Sequence, residues 1–234
     1  MQTATSTTHR AAGTNGRSPR DLATVIREAN CTTKRMISRG QFVVGHSRVP
    51  TGVCLIETGI VTHMVNKGDK LLVVGFAGKG DLLYTGRLLT NTPEDPAAFL
   101  DRSTSAMVEV HVIEIPWNIA RRIPELVLLA QEMNERERLV LEQRLLAAHY
   151  SPVPVRLAAF LIQMCERFGM RQSGGGTLLD LPITHQQIAD AIGSTRETVT
   201  ITLGEFKNMR RLIKFDGRRI FIVDQNGLRT LAKT

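Results

Sequence analysis

Thr184-His185-Gln186-Gln187-Ile188-Ala189-Asp190-Ala191-Ile192-Gly193-Ser194-Thr195-Arg196-Glu197-Thr198-Val199-Thr200 is the stretch on which the reading of this 234-residue chain turns. Its first four residues have the form of a capping box, in which a Thr hydroxyl accepts from a first-turn amide and a Gln three positions on reaches back. A short helix therefore starts at His185 and turns Ile188, Ala191 and Ile192 inward. It stops at Gly193, the residue type that adopts a left-handed conformation without strain. Ser194-Thr195-Arg196-Glu197 predicts a second capping box, followed by Val199, Leu203 and Phe206 at helical spacing. A small Ala189 at the crossing, a flexible Gly193 in the turn and an apolar Val199 under the second helix meet the steric needs of a helix-turn-helix.

With Val199, Leu203 and Phe206 buried, Arg196, Thr200 and Ile201 fall on the outer side of the second helix, near its N-terminal half. That half meets base edges when such a unit docks on a duplex. Downstream lie Lys207, Arg210, Arg211, Lys214, Arg218 and Arg219, around an Asp216-Gly217 pair that predicts a hairpin between two β-prone runs. Alone, such a charge run reads as a solvated face. Beside a helix-turn-helix it reads as a wing and a helix end whose cations contact phosphates on either side of a groove.

The whole-chain balance points the same way. Thirty Lys and Arg against 22 Asp and Glu give a formal charge of +8, and residues 151–234 carry +5 of it. A polyanion is the partner such an excess favours, nucleic acid first. An apolar fraction of 42% is that of an ordinary globular chain. No apolar run is long enough to span a membrane. Cys31, Cys54 and Cys165 are odd in number and far apart, which argues against a disulfide framework or zinc knuckle. Residues 1–20 lack an apolar signal-peptide segment and read as a loose tail, so the expected compartment is the cytoplasm.

Between Lys34 and Pro116, short β-branched segments alternate with turn residues: Gln41 to Val44, Gly52 to Ile56, Gly59 to Thr62, Leu71 to Val74 and Val108 to Ile115. This predicts an antiparallel sandwich or barrel, with a tight turn at Asn66-Lys67-Gly68-Asp69. Alternation in the last segment is partial, which predicts that both of its faces are covered. The pattern then turns helical. Leu126, Met133, Val140 and Ala147 recur every seven residues, with Leu129 between, a stripe that suits a partner helix or the chain's own sandwich equally well. Ser151-Pro152-Val153-Pro154 ends that helix and marks a domain boundary. Beyond it lie an apolar helix over residues 155–168 and a flexible loop at Ser173 to Gly176.

Over residues 183–224 the chain resembles the Crp/Fnr superfamily of bacterial transcription regulators, and its Ala-Ile-Gly-Ser-Thr-Arg stretch is similar to that of cyanobacterial nitrogen-control regulators. The resemblance extends more weakly to residues 34–117 through Leu55-Ile56-Glu57-Thr58-Gly59 and Gly80-Asp81-Leu82. It implies an α+β architecture: a loose tail (1–20), an N-terminal antiparallel β-roll of the double-stranded β-helix or jelly-roll kind (21–117), a long dimerisation helix (118–150) and a C-terminal winged helix-turn-helix (151–234). It also implies a homodimer on a near-palindromic duplex, with RNA polymerase as a further partner. Arg196 would donate to a guanine edge and Glu197 accept from a cytosine amino group, pairings that base chemistry favours independently. Capping is an equal alternative for Glu197. Thr184, His185, Ser194, Thr195, Thr200, Ile201, Lys207, Lys214, Arg218 and Arg219 complete the expected DNA-binding set. Where the family commonly has a second arginine, this chain has Ile201, whose match is a thymine methyl.

For the sensor half, family members that bind cyclic AMP use a Gly-Glu-Leu turn and an Arg-Ser pair. Here the turn reads Gly86-Arg87-Leu88, with a cation in place of the carboxylate, beside Arg102-Ser103. Arg87, Arg102, Ser103 and, on the long helix, Glu142 are the candidate effector contacts, with an ordinary surface role as the alternative for each. The effector and any cofactor stay unidentified. Iron-sulfur ligation lacks its cysteines, and His46, His63, His111 or Cys54 as haem ligands compete with plain structural roles. Gly45-His46-Ser47-Arg48-Val49 lacks a nucleophile elbow and Gly78-Lys79-Gly80-Asp81 lacks phosphate-loop spacing, so no enzyme is expected. The alternative is a ligand-binding or protein-interaction module whose winged helix makes protein contacts.

Overall fold

The computed structural model describes residue 26 and residues 32–44, 50–68, 70–89, 102–217 and 219–233, with Lys67, Arg87 and Arg102 in backbone only. The predicted tail, Cys31, the 45–49 stretch with His46, Asp69, residues 91–100 and Arg218 lie outside the described residues.

The β-branched segments form two four-stranded antiparallel sheets. One runs β1 (Thr33–Ile37), β8 (Val110–Pro116), β3 (Gly52–Thr58), β6 (Leu82–Leu83); the other runs β2 (Phe42–Val44), β7 (Arg102–Ala106), β4 (Ile60–Lys67), β5 (Lys70–Gly78). The sheets face each other as a β-roll, so the sequence alternative of a closed barrel is set aside. Val44, Ile56, Val61, Ala77, Leu83, Ala106 and Val112 meet between them. Gly59 joins β3 to β4 with φ +93°, and a Cβ there would stand 2.4 Å from the Glu109 carbonyl oxygen. Only glycine tolerates both conditions. Lys67 pairs with Lys70 across the predicted hairpin turn, with Gly68 at φ +62°.

The partial alternation of the last strand has a physical reason. Val110 and Val112 of β8 point into the roll, while Ile113 and Ile115 pack on its other side. There they meet a short helix, α2 (Trp117–Ala120), and the start of the long helix α3 (Pro124–Tyr150); a one-turn α1 (Gly86–Leu89) lies nearby. Leu126, Ala130 and Met133 of α3 are buried in this layer. The first half of the heptad stripe read from the sequence, Leu126, Leu129 and Met133, thus faces the chain's own sandwich, whereas Val140 and Ala147 line a cavity shared with Ala159, Phe160 and Gln163. Leu128, Leu139, Leu141, Leu145, Leu146 and Tyr150 of the same helix are exposed.

Pro152 and Pro154 end α3 and also begin α4 (Val153–Phe168), because a first turn has no amide to lose. The winged unit then runs β9 (Met170–Arg171), β10 (Thr177–Leu179), α5 (His185–Ile192), α6 (Arg196–Asn208), β11 (Ile213–Asp216), β12 (Arg219–Ile222) and α7 (Gln225–Leu231). Its sheet order is β11-β12-β10-β9. The glycine-rich segment expected to be a free loop is the turn between β9 and β10, where the Gln172 amide donates to Gly176 at 3.2 Å. Leu157, Phe160, Leu161 and Met164 of α4 pack with Ile188, Val199, Leu203 and Phe206.

This core extends into the roll through Val73, Phe76 and Met107. Strand β5 is a sheet edge, and three of its backbone groups are taken up by side chains of three helices. Arg144 of α3 donates to the Val74 carbonyl at 2.8 Å, Arg167 of α4 donates to the Phe76 carbonyl at 2.8 Å, and Asp190 of α5 accepts from the Val73 amide at 3.4 Å. Arg167 also pairs with Asp81 at 2.6 Å. Covering an edge in this way removes a site of unwanted strand pairing.

Candidate nucleic-acid interface

The turn between α5 and α6 is built as the sequence predicts at its first end. Thr184 accepts from the Gln187 amide at 3.1 Å while the Gln187 side chain accepts from the Thr184 amide at 2.9 Å. Gly193 sits at φ +65°, and Ser194 donates to the Ala189 carbonyl, closing the helix end. Arg156, from α4, donates to the carbonyls of Ile192 and Gly193 at 2.7 and 3.0 Å, pinning the turn from below.

The second end differs. The cap of α6 is Thr195, not Ser194, and its hydroxyl accepts from the Thr198 amide at 3.2 Å. A Thr three positions on takes the place that a Glu would hold in the predicted box. Glu197 consequently takes no part in capping. Arg196 and Glu197 are both exposed, and among the described residues neither side chain is held by a hydrogen bond or ion pair. The first turn of α6 therefore presents a free guanidinium and a free carboxylate to solvent.

Thr200 is differently engaged. Its hydroxyl donates to the Arg196 carbonyl at 2.8 Å and lies 2.8 Å from His185 Nδ1. Since the hydroxyl proton goes to the carbonyl, Nδ1 carries the imidazole hydrogen and Nε2 is left to accept. Burial, with the positive Arg196 nearby, holds the His185 pKa below its usual value, so the ring is neutral at pH 7. Ile201 is exposed on the same outward face, one turn beyond Glu197. The wing follows, with Lys207 over the Phe215 ring at 5.9 Å and Lys214 exposed. Arg219 is tied to Asp180 at 3.1 Å, and Arg218 falls outside the described residues.

A family model described as a Crp-like helix-turn-helix domain matches residues 155–231. Over 86% of this chain and 99% of the other, the fold is similar to that of a CRP/FNR-family transcriptional regulator from Thermus thermophilus, with a TM-score of 0.68 at 21% identity. The nitrogen fixation regulation protein FixK of Rhizobium meliloti is 36% identical over 49% of this chain, a match that spans half of FixK's own length. The regulatory protein CysR of Synechococcus elongatus is 33% identical over 176 residues, 72% of this chain and 76% of CysR. The chain belongs to the Crp/Fnr family.

In this Crp/Fnr chain the effector candidates do not gather at one described point. Ser103, buried on β7, stands opposite Met64 in the β4 register, on the face turned to the winged unit. Glu142 is exposed on α3 and pairs with Arg138, which also holds Glu135 at 2.6 Å. The side chains of Arg87 and Arg102 are not described. Inside the roll, Tyr84 adopts φ +64°, a conformation rare for an aromatic residue, and burial pushes its phenol pKa up. His63 Nδ1 lies 3.2 Å from the Thr104 hydroxyl and His111 lies 3.2 Å from Glu109, while Cys54 is buried. Among the described residues no three metal-ligating side chains converge, and no helix is long and apolar enough to cross a membrane.

Sequence reasoning missed Thr198, Arg156 and the β5 contacts of Arg144, Arg167 and Asp190. Thr198 had a readable signal, a Thr three places after a Thr. Arg156 reaches a turn 36 positions away and has none.

Proposed function

We propose that the protein is a homodimeric, sequence-specific DNA-binding regulator of transcription, read from the outward face of α6. The observation that carries this is the free pair Arg196 and Glu197 on the first turn, with capping done by Thr195 and Thr198 instead. An unpaired guanidinium matches guanine O6 and N7, and an unpaired carboxylate matches a cytosine amino group. Lys207, Lys214 and Arg219 flank them as phosphate contacts, Thr184, His185, Ser194 and Thr195 border the same edge, and Arg218 belongs with the wing by its place in sequence. Dimerisation through the exposed leucines of α3 would set two α6 helices about 34 Å apart, one turn of a near-palindromic duplex. RNA polymerase is the expected protein partner, and the cytoplasm the expected compartment. The division into tail, sensor, dimer helix and reading head at 20, 117 and 150 belongs to this reading, as does control by an effector yet to be identified near Arg87, Arg102, Ser103 and Glu142. A catalytic role is not part of it, and use of the winged helix for protein contacts is not favoured, since Arg196, Glu197, Lys207 and Lys214 leave charged groups exposed there.

Selection of bound duplexes from a random pool tests this. The expected result is a two-fold symmetric site. Arg196→Ala should relax preference at one base pair per half-site, a loss of about 1–3 kcal/mol there, whereas Lys214→Ala should weaken all sequences alike and lower the salt slope by about one. Equal behaviour of the two variants would contradict the assignment.

A further inference from the structure

Ile201 is 64% exposed in the N-terminal half of α6, on a face otherwise made of Arg196, Glu197 and Thr200. A β-branched apolar side chain gains nothing there for the isolated protein. It packs in none of the three cores, and β-branching disfavours the helix slightly. One turn further on stands Gly204, with open space where a side chain would begin. At position 204 no side chain stands beside Ile201 to hold it away from a partner. If this face enters a major groove, the floor it meets is polar at every base edge except one group, the C5 methyl of thymine.

We infer that Ile201 is a specificity-determining residue that reads a thymine methyl, which rests on the DNA-reading function proposed above. Its place in the site follows from geometry. Ile201 lies five positions after Arg196, about 7.5 Å along the helix axis at about 1.5 Å per residue. Base pairs stack about 3.4 Å apart, so the thymine lies about two base pairs from the guanine that Arg196 reads. Thr200, between them, has its hydroxyl committed to the Arg196 carbonyl and His185, and adds no competing readout.

The test uses the full-length protein and the duplex selected from a random pool. Thymine at the assigned step of both half-sites is replaced by uracil, which removes only the methyl, and binding is followed by fluorescence anisotropy. Burial of one methyl corresponds to about fourfold per half-site, so the wild type should lose about fifteenfold on the doubly substituted duplex. Ile201→Ala should bind the two duplexes with a difference of less than about twofold. Ile201→Gln, in a fresh selection, should move the preference at that step to adenine. Equal wild-type affinity for thymine and uracil duplexes, or a selected site with no preference at that step, overturns the inference for Ile201. If guanine preference still depends on Arg196 in that case, the DNA-reading function survives; if no sequence-specific duplex is selected at all, both fall.

Discussion

Glu197 and Thr195 divide between them two tasks that one local motif leaves fused. A carboxylate two residues after an N-cap threonine either closes the helix end or faces outward, and the hydrogen bond from the Thr198 amide to Thr195 decides for the second. Loss of an N-cap hydroxyl costs about 1 kcal/mol. Thr195→Ala should therefore lower the thermal midpoint by a few degrees. Glu197→Gln should leave the midpoint unchanged within error and alter base preference; a drop in midpoint for Glu197→Gln of the size seen for Thr195→Ala, read by circular dichroism, would return Glu197 to capping. His185 makes a further prediction. Its folded pKa lies below the value of about 6.5 for an unfolded histidine, so at mildly acidic pH the unfolded chain binds more protons. Stability is unaffected by this group above about pH 6.5 and falls as pH drops from there through the folded value. His185→Asn should flatten that part of a urea-denaturation profile taken between about pH 7.5 and 5.

Among the elements, α3 shows how far periodicity carries. Its seven-residue repeat was legible, and so was the helix, yet the stripe Leu126 and Met133 serves the chain's own roll. A heptad row says that a face is covered; it does not say by what, because a sandwich and a partner helix make the same apolar demand. The exposed Leu141 and Leu145, about one turn apart, obey no such row and went unread. Leu126→Ala should cost about 2–5 kcal/mol of stability through the cavity it leaves. Leu145→Glu should leave the fold intact and yield monomers in sedimentation velocity; a dimer that survives it would move the interface elsewhere. The helix-turn-helix and wing were more legible than the roll. Their capping residues, Gly193 and Gly217 act over a few neighbouring positions, whereas β1 and β7 depend on pairing with strands tens of residues away. In β7, Arg102-Ser103 drew attention as a possible ligand pair, and its strand character was hidden by small polar residues at Thr104 and Ser105.

At the scale of the whole molecule, the winged unit is fastened to the edge of the roll. Arg144, Arg167 and Asp190 bring three helices to neighbouring parts of β5, and burial together with the nearby Arg167 lowers the Arg144 pKa. Charged-group hydrogen bonds as short as the two from Arg144 and Arg167 contribute about 1.5–3 kcal/mol each; the longer Asp190 contact contributes less. Asp81, which Arg167 holds, also accepts from the Gly78 amide at 2.7 Å. Arg167→Gln should thus speed hydrogen exchange at the Gly78 amide and along the end of β5 while leaving α5 and α6 protected; unchanged exchange there would mean that the apolar contact of Phe76 and Phe160 suffices. Nothing in the sequence marks these three residues, since each reads locally as an ordinary helix-surface charge.

Sequence-specific reading by this protein requires the first turn of α6 to touch guanine in a major groove. Methylation of guanine N7 across the selected duplex tests that contact at the atom concerned. One modified guanine per half-site should block wild-type binding, the two lying one helical turn apart, and Arg196→Ala should be indifferent to both. Interference at no guanine, or interference that persists in the alanine variant, would contradict the account.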